Sequence, residues 1–291
     1  MSARERSAPL EKVFDLLNYT LLGLFALAAF LPFVYIFISS FTSSAEILQK
    51  GFVLIPEHPT LEAYKYIFTT DVFLRSILIT VFITVAGTTI NIILTSMMAY
   101  GLSHEHLMGR KTLMVMIVFT MLFSGGMIPG YLLIKNLRLI DSYAALILPG
   151  AISAFNLIIM KNFFQQIPKE LAESAKIDGA NDLVILWKVI LPVSMPILAT
   201  FSLFYAVGHW NTFMSAILYI NDPNKWPIQV LLRNIVILSQ TGVGEGEMDV
   251  YIPPVTIKMA VIIVATLPIL MVYPFLQKHF VKGMMLGSIK G

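Results

Sequence analysis

Six runs of roughly twenty apolar residues divide this chain of 291 residues. About 20 such residues are needed for a helix to cross the ~30 Å hydrocarbon core of a bilayer. Inside that core a helix is favoured because it satisfies its own backbone N–H and C=O groups. The runs therefore predict an all-α, polytopic membrane protein with six transmembrane helices, near Leu16 to Phe41, Leu74 to Tyr100, Leu113 to Ile134, Ala144 to Phe163, Met195 to Ile220 and Val255 to Leu276. Composition agrees: at 57% hydrophobic and 13% charged, there are too few charges to coat a soluble globule of this length. The absence of cysteine excludes disulfides, thiolate metal ligands and cysteine nucleophiles. A net charge of +3 with scattered basic residues gives no footprint for nucleic acid.

The basic N-terminal stretch "MSARERSAPLEK" precedes an apolar run too long for a signal peptide, so it reads as the flank of a retained first helix. With both termini in the cytoplasm, Arg4, Arg6, Lys12, Arg110, Lys111, Lys161, Lys169, Lys176, Lys188, Lys278, Lys282 and Lys290 fall inside. Lys50, Lys65, Arg75, Lys135, Arg138, Lys225, Arg233 and Lys258 fall outside, an asymmetry that follows the positive-inside rule. The expected organisation is a cytoplasmic tail at 1–15 and a transmembrane domain at 16–291. That domain includes outer loops at 42–73 and 221–254, a cytoplasmic loop at 164–194 and a C-terminal tail at 277–291. Both outer loops carry Pro, Gly and short amphipathic runs, which predict helices lying in the interface. The acidic "GEGEMD" at 244–249 lacks the oxygen spacing of an EF-hand and reads as a solvated turn.

The cytoplasmic loop contains the most helix-like charged segment, "PKELAESAKIDGANDLVILWKVILP", residues 168–192. Pro168 suits a first turn, Glu170 and Glu173 complement the positive end of the helix dipole, and Gly179 offers a left-handed stop after Ile177 and Asp178. Asn181 or Asp182 can cap a second helix that runs to Pro192. Leu171, Ala172, Ser174 and Ala175 form a face of the first helix on which another protein could sit. From spacing alone, a docking helix and a solvated connector fit equally.

"ESAKIDGA" followed by "VILP" resembles the EAA motif of permease subunits of bacterial ABC importers: Glu-Ala-Ala, three residues, Gly, nine residues, Ile, one residue, Leu-Pro. Glu173, Ala175, Gly179, Leu191 and Pro192 match, while Ser174 and Val189 replace Ala and Ile with residues of similar shape. "FSGGMIPGYLLIKNLRLIDSYAALILPGAISAFNLIIMKNFF", "FYAVGHWNTFMSAILYINDPNKWPIQVLLR" and "VKGMMLGSIKG" extend the likeness to carbohydrate-uptake permeases of the maltose-importer second-subunit type. The branch handling oligosaccharides and polysaccharide fragments, such as alginate or pectin fragments, is the most similar.

The resemblance implies the type I ABC importer permease fold in the bacterial cytoplasmic (inner) membrane. It also implies a second homologous permease, with a heterodimer favoured, two ATPase subunits and an extracytoplasmic solute-binding protein. Glu170, Glu173, Ser174, Ala175, Asp178, Gly179, Ala180, Leu191 and Pro192 would then couple to the ATPase, and Gly287 and Lys290 in the tail would contact it.

No catalytic or metal-binding residues are expected. There is no Gly-x-x-x-x-Gly-Lys-Ser/Thr loop, so ATP and Mg belong to the partner ATPase and the chain itself binds no cofactor. His104 and His106, flanking Glu105, lack the spacing of a zinc-protease helix. A secondary sugar transporter or a channel subunit is the alternative, but no Asp or Glu lies within the six runs to relay ions. Gly126, Pro129, Pro149 and Gly150 predict breaks of the kind that line substrate sites. Asn156, His209, Trp210 and Asn211 supply amides and an aromatic face suited to a sugar, although isolated polar groups equally bond helix to helix.

Overall fold

The structure, a computed structural model, describes residues 9–240 and 255–288, with side chains for 12–237 and 255–272. Every regular element among the described residues is helical. Two compact units are present. One comprises residues up to 70 together with 235–266, and the other 71–234 with the residues from 267 onward.

The first unit begins with α1, Pro9–Ser40, whose side chains from 12 to 33 are all exposed and mostly apolar. Such a surface is solvated by lipid rather than by a protein core. Two short helices follow, α2 (Ser44–Lys50) and α3 (Glu62–Thr69). The hydroxyls of Ser40 and Tyr64 lie 2.7 Å apart and Thr60 N–H donates to the Phe41 carbonyl at 2.7 Å, folding the segment back on the end of α1. Glu46, 6% exposed, accepts from the N–H groups of Glu57 (3.0 Å) and His58 (3.4 Å) and from Lys50 Nζ (3.2 Å). These donors, the Glu57 N–H foremost, hold its carboxyl below the usual carboxylate range. A buried carboxylate with three donors fixes the loop around it.

The second unit is organised on α4, Asp71–Ser103, a 33-residue helix. Its buried stripe contains Ser76, Thr80, Ile83, Gly87, Asn91, Thr95 and Ala99. In lipid, apolar area alone does not pull helices together, and small residues that admit close backbone approach do much of the work. Gly87 shows this plainly: a Cβ there would lie 2.5 Å from His209 Nε2.

Three of the six predicted spans are not continuous helices. The third is α5 (Arg110–Leu122) and α6 (Met127–Asn136), which meet at 118°. Gly126, at φ +88°, makes that turn, because a left-handed backbone disfavours any side chain. The fourth is α7 (Ala144–Ile147) and α8 (Ala154–Gln165), separated around Pro149 and Gly150.

The loop predicted at 164–194 supplies α9 (Lys169–Ile177) and then α10 (Asp182–Ile185), a π-helical turn at Leu186–Ile190 and α11 (Leu191–Val193). At Ser194 the chain bends by 89° into α12, Met195–Trp210. The fifth predicted span is therefore α12 plus α13 (Met214–Tyr219), broken at 211–213. A 3₁₀ turn at Pro223–Lys225 leads to α14 (Ile228–Gln240), and α15 (Val255–Ser288) is the sixth span. By length and composition α1, α4 and α15 can each cross a membrane alone, and the two sharply bent pairs raise the possible spans to five.

The core of this unit has two centres. One gathers Tyr100, Leu157, Met160, Phe164, Ile185, Leu186, Phe201 and Tyr205 from α4, α8, α12 and the segment after α9. The other joins Ile79 and Ile83 of α4 to Leu146, Ile147, Ala216, Ile220 and Val230.

Candidate functional site

The loop between α8 and α12 is built by local rules. α9 starts after Pro168 and ends in a Schellman motif, in which Ala180 N–H donates to the Ala175 carbonyl (2.9 Å) and Gly179 N–H to the Lys176 carbonyl (3.0 Å). Gly179 carries the left-handed residue at φ +84°. Asn181, not Asp182, caps the next helix, its Oδ1 accepting from Val184 N–H at 2.9 Å. Lys176 and Asp182 pair across the elbow at 3.2 Å. Lys169 reaches Glu105 in the α4–α5 turn at 3.0 Å, and this bond, with the charge behind it, holds the Glu105 carboxyl below its ordinary range. His104 and His106 lie exposed in that turn.

The exposed side of α9 differs from the face expected. Ala172, Ala175 and Ala180 pack on the chain's own core, as does Leu191, while Pro192 is exposed. Glu170, Leu171, Glu173, Ser174, Ile177, Asp178 and Gly179 remain outward. The reason is helical periodicity: positions 172 and 175 share one face, and the second helix and the core occupy it. Ile177 is 87% exposed, an apolar side chain in a charged loop, and sequence reasoning passed over it. Its position one residue before the helix cap was the available signal.

The four residues considered for a sugar path have different surroundings. Asn156 is buried in the first turn of α8, where Ser153 caps its N–H at 3.4 Å. His209 is buried against Gly87, with Nε2 3.4 Å from Asn91 Oδ1. Trp210 is half-buried, and exposed Asn211 caps the end of α12 by donating from Nδ2 to the Val207 carbonyl at 3.0 Å.

Asn91, Thr95 and Tyr205 do more for the packing than sequence reasoning assigned them. Asn91 Nδ2 donates to the Gly150 carbonyl at 3.1 Å, satisfying backbone freed by the break in the fourth span. Tyr205 OH accepts from Ser153 N–H at 3.1 Å and lies 2.8 Å from Thr95 Oγ1. The four-residue spacing of Gly87, Asn91, Thr95 and Ala99 was the signal for this polar seam.

At the end of α12 away from α9, Asp141 clasps the segment after α13. Its Oδ1 accepts from Asn221 N–H (3.2 Å) and Asp222 N–H (3.1 Å), and its Oδ2 pairs with Lys225 Nζ at 2.8 Å. Lys225 first, then these amides, hold the Asp141 carboxyl below its ordinary range. Among the described residues no three His, Cys, Asp or Glu side chains are grouped to hold a metal ion. Gly287 lies in the last turn of α15, and Lys290 and the 244–249 turn fall outside the described residues.

Residues 107–286, more than half of the chain, match the family model described as the binding-protein-dependent transport system inner membrane component. The chain is 59% identical over 283 residues to the polygalacturonan/rhamnogalacturonan transport system permease protein YtcP of Bacillus subtilis, covering 96% of this chain and 99% of that one. It is 54% identical over 282 residues to Protein LplC of the same organism, covering 96% of each. Among solved structures it resembles a chain of a bacterial ABC transporter involved in the import of the acidic polysaccharide alginate, with a TM-score of 0.85 and 34% identity over 96% of this chain and 100% of that one. The helical architecture, the broken spans and these matches together show that the chain belongs to the inner membrane component family of binding-protein-dependent transport systems, as a multi-pass ABC transporter permease.

Proposed function

We propose that the chain forms half of the path by which an ATP-driven importer admits an oligosaccharide or a fragment of an acidic polysaccharide, and that α9 with its Gly179 elbow receives the force of a separate ATPase subunit. The observation that carries the coupling role is the outward side of α9. There Ile177 stands 87% exposed beside Glu170, Glu173 and Ser174, in a loop too charged to lie in lipid. A protruding apolar side chain ringed by charges suits a protein groove.

The alanines that pack α9 on the core, with the covalent path through α10, α11 and the bend at Ser194, make it a rigid lever on α12. Substrate class rests on the likeness to YtcP and to the alginate importer chain. The partners are a second homologous permease, with a heterodimer favoured, two ATPase subunits that hold ATP and Mg, and an extracytoplasmic solute-binding protein. Both termini are placed in the cytoplasm of a bacterial cell, and the tail around Gly287 and Lys290 lies toward the ATPase.

The test is the assembled complex carrying Glu173→Lys or Ile177→Asp. Each variant should insert and retain the partner permease but lose ATPase on purification, or lose oligosaccharide-stimulated hydrolysis. Normal retention, hydrolysis and uptake in both variants would refute the coupling role.

A further inference from the structure

The break between α12 and α13 leaves Asn211 and Phe213 beside α14. Gln229 Nε2 lies 3.5 Å from Asn211 Oδ1, and the guanidinium of Arg233 sits 5.4 Å from the centre of the Phe213 ring. Gln229 and Arg233 are four residues apart, so one face of α14 lies along the broken end of α12. The helix is anchored for this. Its first N–H, at Ile228, donates to buried Thr80 Oγ1 of α4 at 2.8 Å, and Ile228 and Val230 are each 1% exposed.

The cations of this region are used differently. Lys225 is committed to Asp141, and Arg75 donates to Asn224 Oδ1 at 2.6 Å. Arg233 is exposed and is held by an aromatic face, with no carboxylate among the described residues pairing with it. A guanidinium held over a ring keeps N–H donors for two parallel bonds to a carboxylate. The 3.5 Å amide contact beside it is long, so Asn211 and Gln229 can exchange it for sugar hydroxyls at small cost.

From this geometry we infer that Arg233, with Gln229 and Asn211, forms a subsite for one uronate residue at the end of the path away from α9. The inference rests on the importer reading above and adds to it the group that recognises the substrate's charge. Arg233 takes the carboxylate with its N–H edge. Gln229, whose Cβ is about 5–6 Å from that of Arg233 along one helical turn, and Asn211 beside it meet hydroxyls on the far side of the same pyranose. The subsite selects for a planar anion, which a neutral sugar of equal size lacks.

The experiment compares uptake of a galacturonate oligomer with uptake of its methyl ester by the complete transporter in proteoliposomes. The wild type, Arg233→Gln and Arg233→Lys are measured with the same binding protein, whose own preference cancels in the comparison. Arg233→Gln should lower the acid-to-ester ratio about tenfold, as loss of one charge-assisted pair predicts. Arg233→Lys should recover part of it, because the charge remains but the fork is lost.

If both substrates fall together, Arg233 merely braces α14 on Phe213 and the inference is overturned. An unchanged ratio overturns it as well. If the wild type takes up the ester but not the acid, the uronate subsite falls and the importer reading stands. If it takes up neither, both fall.

Discussion

Replacing Gly179 by valine should uncouple ATP hydrolysis from transport while leaving the membrane helices in place. Gly179 stands at φ +84°, between two hydrogen bonds that close α9, and an added Cβ would meet nothing within 4 Å. The cost is therefore backbone strain alone, roughly 1–2 kcal/mol for an L-residue in the left-handed region, which lowers the ratio of native to non-native elbow by a factor of about 5–30. Asparagine visits this region with less penalty. Gly179→Asn should accordingly keep most activity, although its side chain reaches further than that of valine.

The assay is binding-protein-stimulated hydrolysis in proteoliposomes, together with co-purification of the ATPase subunit. Valine should lose stimulation, while asparagine should retain the larger part. Two equally active variants would show that the left-handed elbow is not what positions α9. Two equally inactive ones would show that bulk at this exposed position, rather than backbone conformation, is what matters.

Because the chain contains no cysteine, single cysteines can be read without background. An impermeant thiol reagent on intact cells should label Ile55→Cys, exposed in the predicted outer loop, and spare Ser174→Cys, and the reverse pattern would invert the orientation. Gly87→Ala should lower the thermal midpoint of the detergent-purified chain, as overpacking by about 1–3 kcal/mol implies, since the new methyl meets the His209 ring at 2.5 Å. Adding His209→Ala should restore part of the loss, and failure to do so would mean that the two helices do not meet there. Asp141→Asn keeps one acceptor and tolerates the left-handed backbone (φ +62°) but loses the ion pair to Lys225. The Asp141 carboxyl is depressed in the folded protein, so its stabilisation is present above the unfolded value near pH 4 and disappears as pH falls through the folded value. The melting difference between wild type and variant should therefore be visible at neutral pH and vanish in strong acid, and a difference that grows on acidification would contradict the clasp.

The sequence alone determined the helical membrane class, the approximate spans and the elbow after α9. Each of these depends on neighbours a few residues apart. Twenty apolar residues suffice to define a span, and a Schellman motif closes within six residues, so Pro168 and Gly179 could be read in place, while the next cap was narrowed to Asn181 or Asp182.

Tertiary structure decided which faces meet. α4 carries apolar residues on every side, and lipid solvates an apolar surface as well as a protein core does, so hydropathy alone could not separate its buried stripe from its outer face, and only the four-residue spacing of Gly87, Asn91, Thr95 and Ala99 pointed to it. Helix register placed Gly87 under His209 and aimed Asn91 at the Gly150 carbonyl. It also turned Ala172 and Ala175 inward and left Ile177 free. The bends were foreshadowed by Gly126, Pro149 and Gly150, but their angles follow from packing. Asp141 and Lys225 are 84 residues apart, and Phe213 and Arg233 are joined only because the break after α12 returns the chain past α14. Contacts of that kind exist once the helices have packed, because no local rule specifies the relative rotation of two helices in a bilayer.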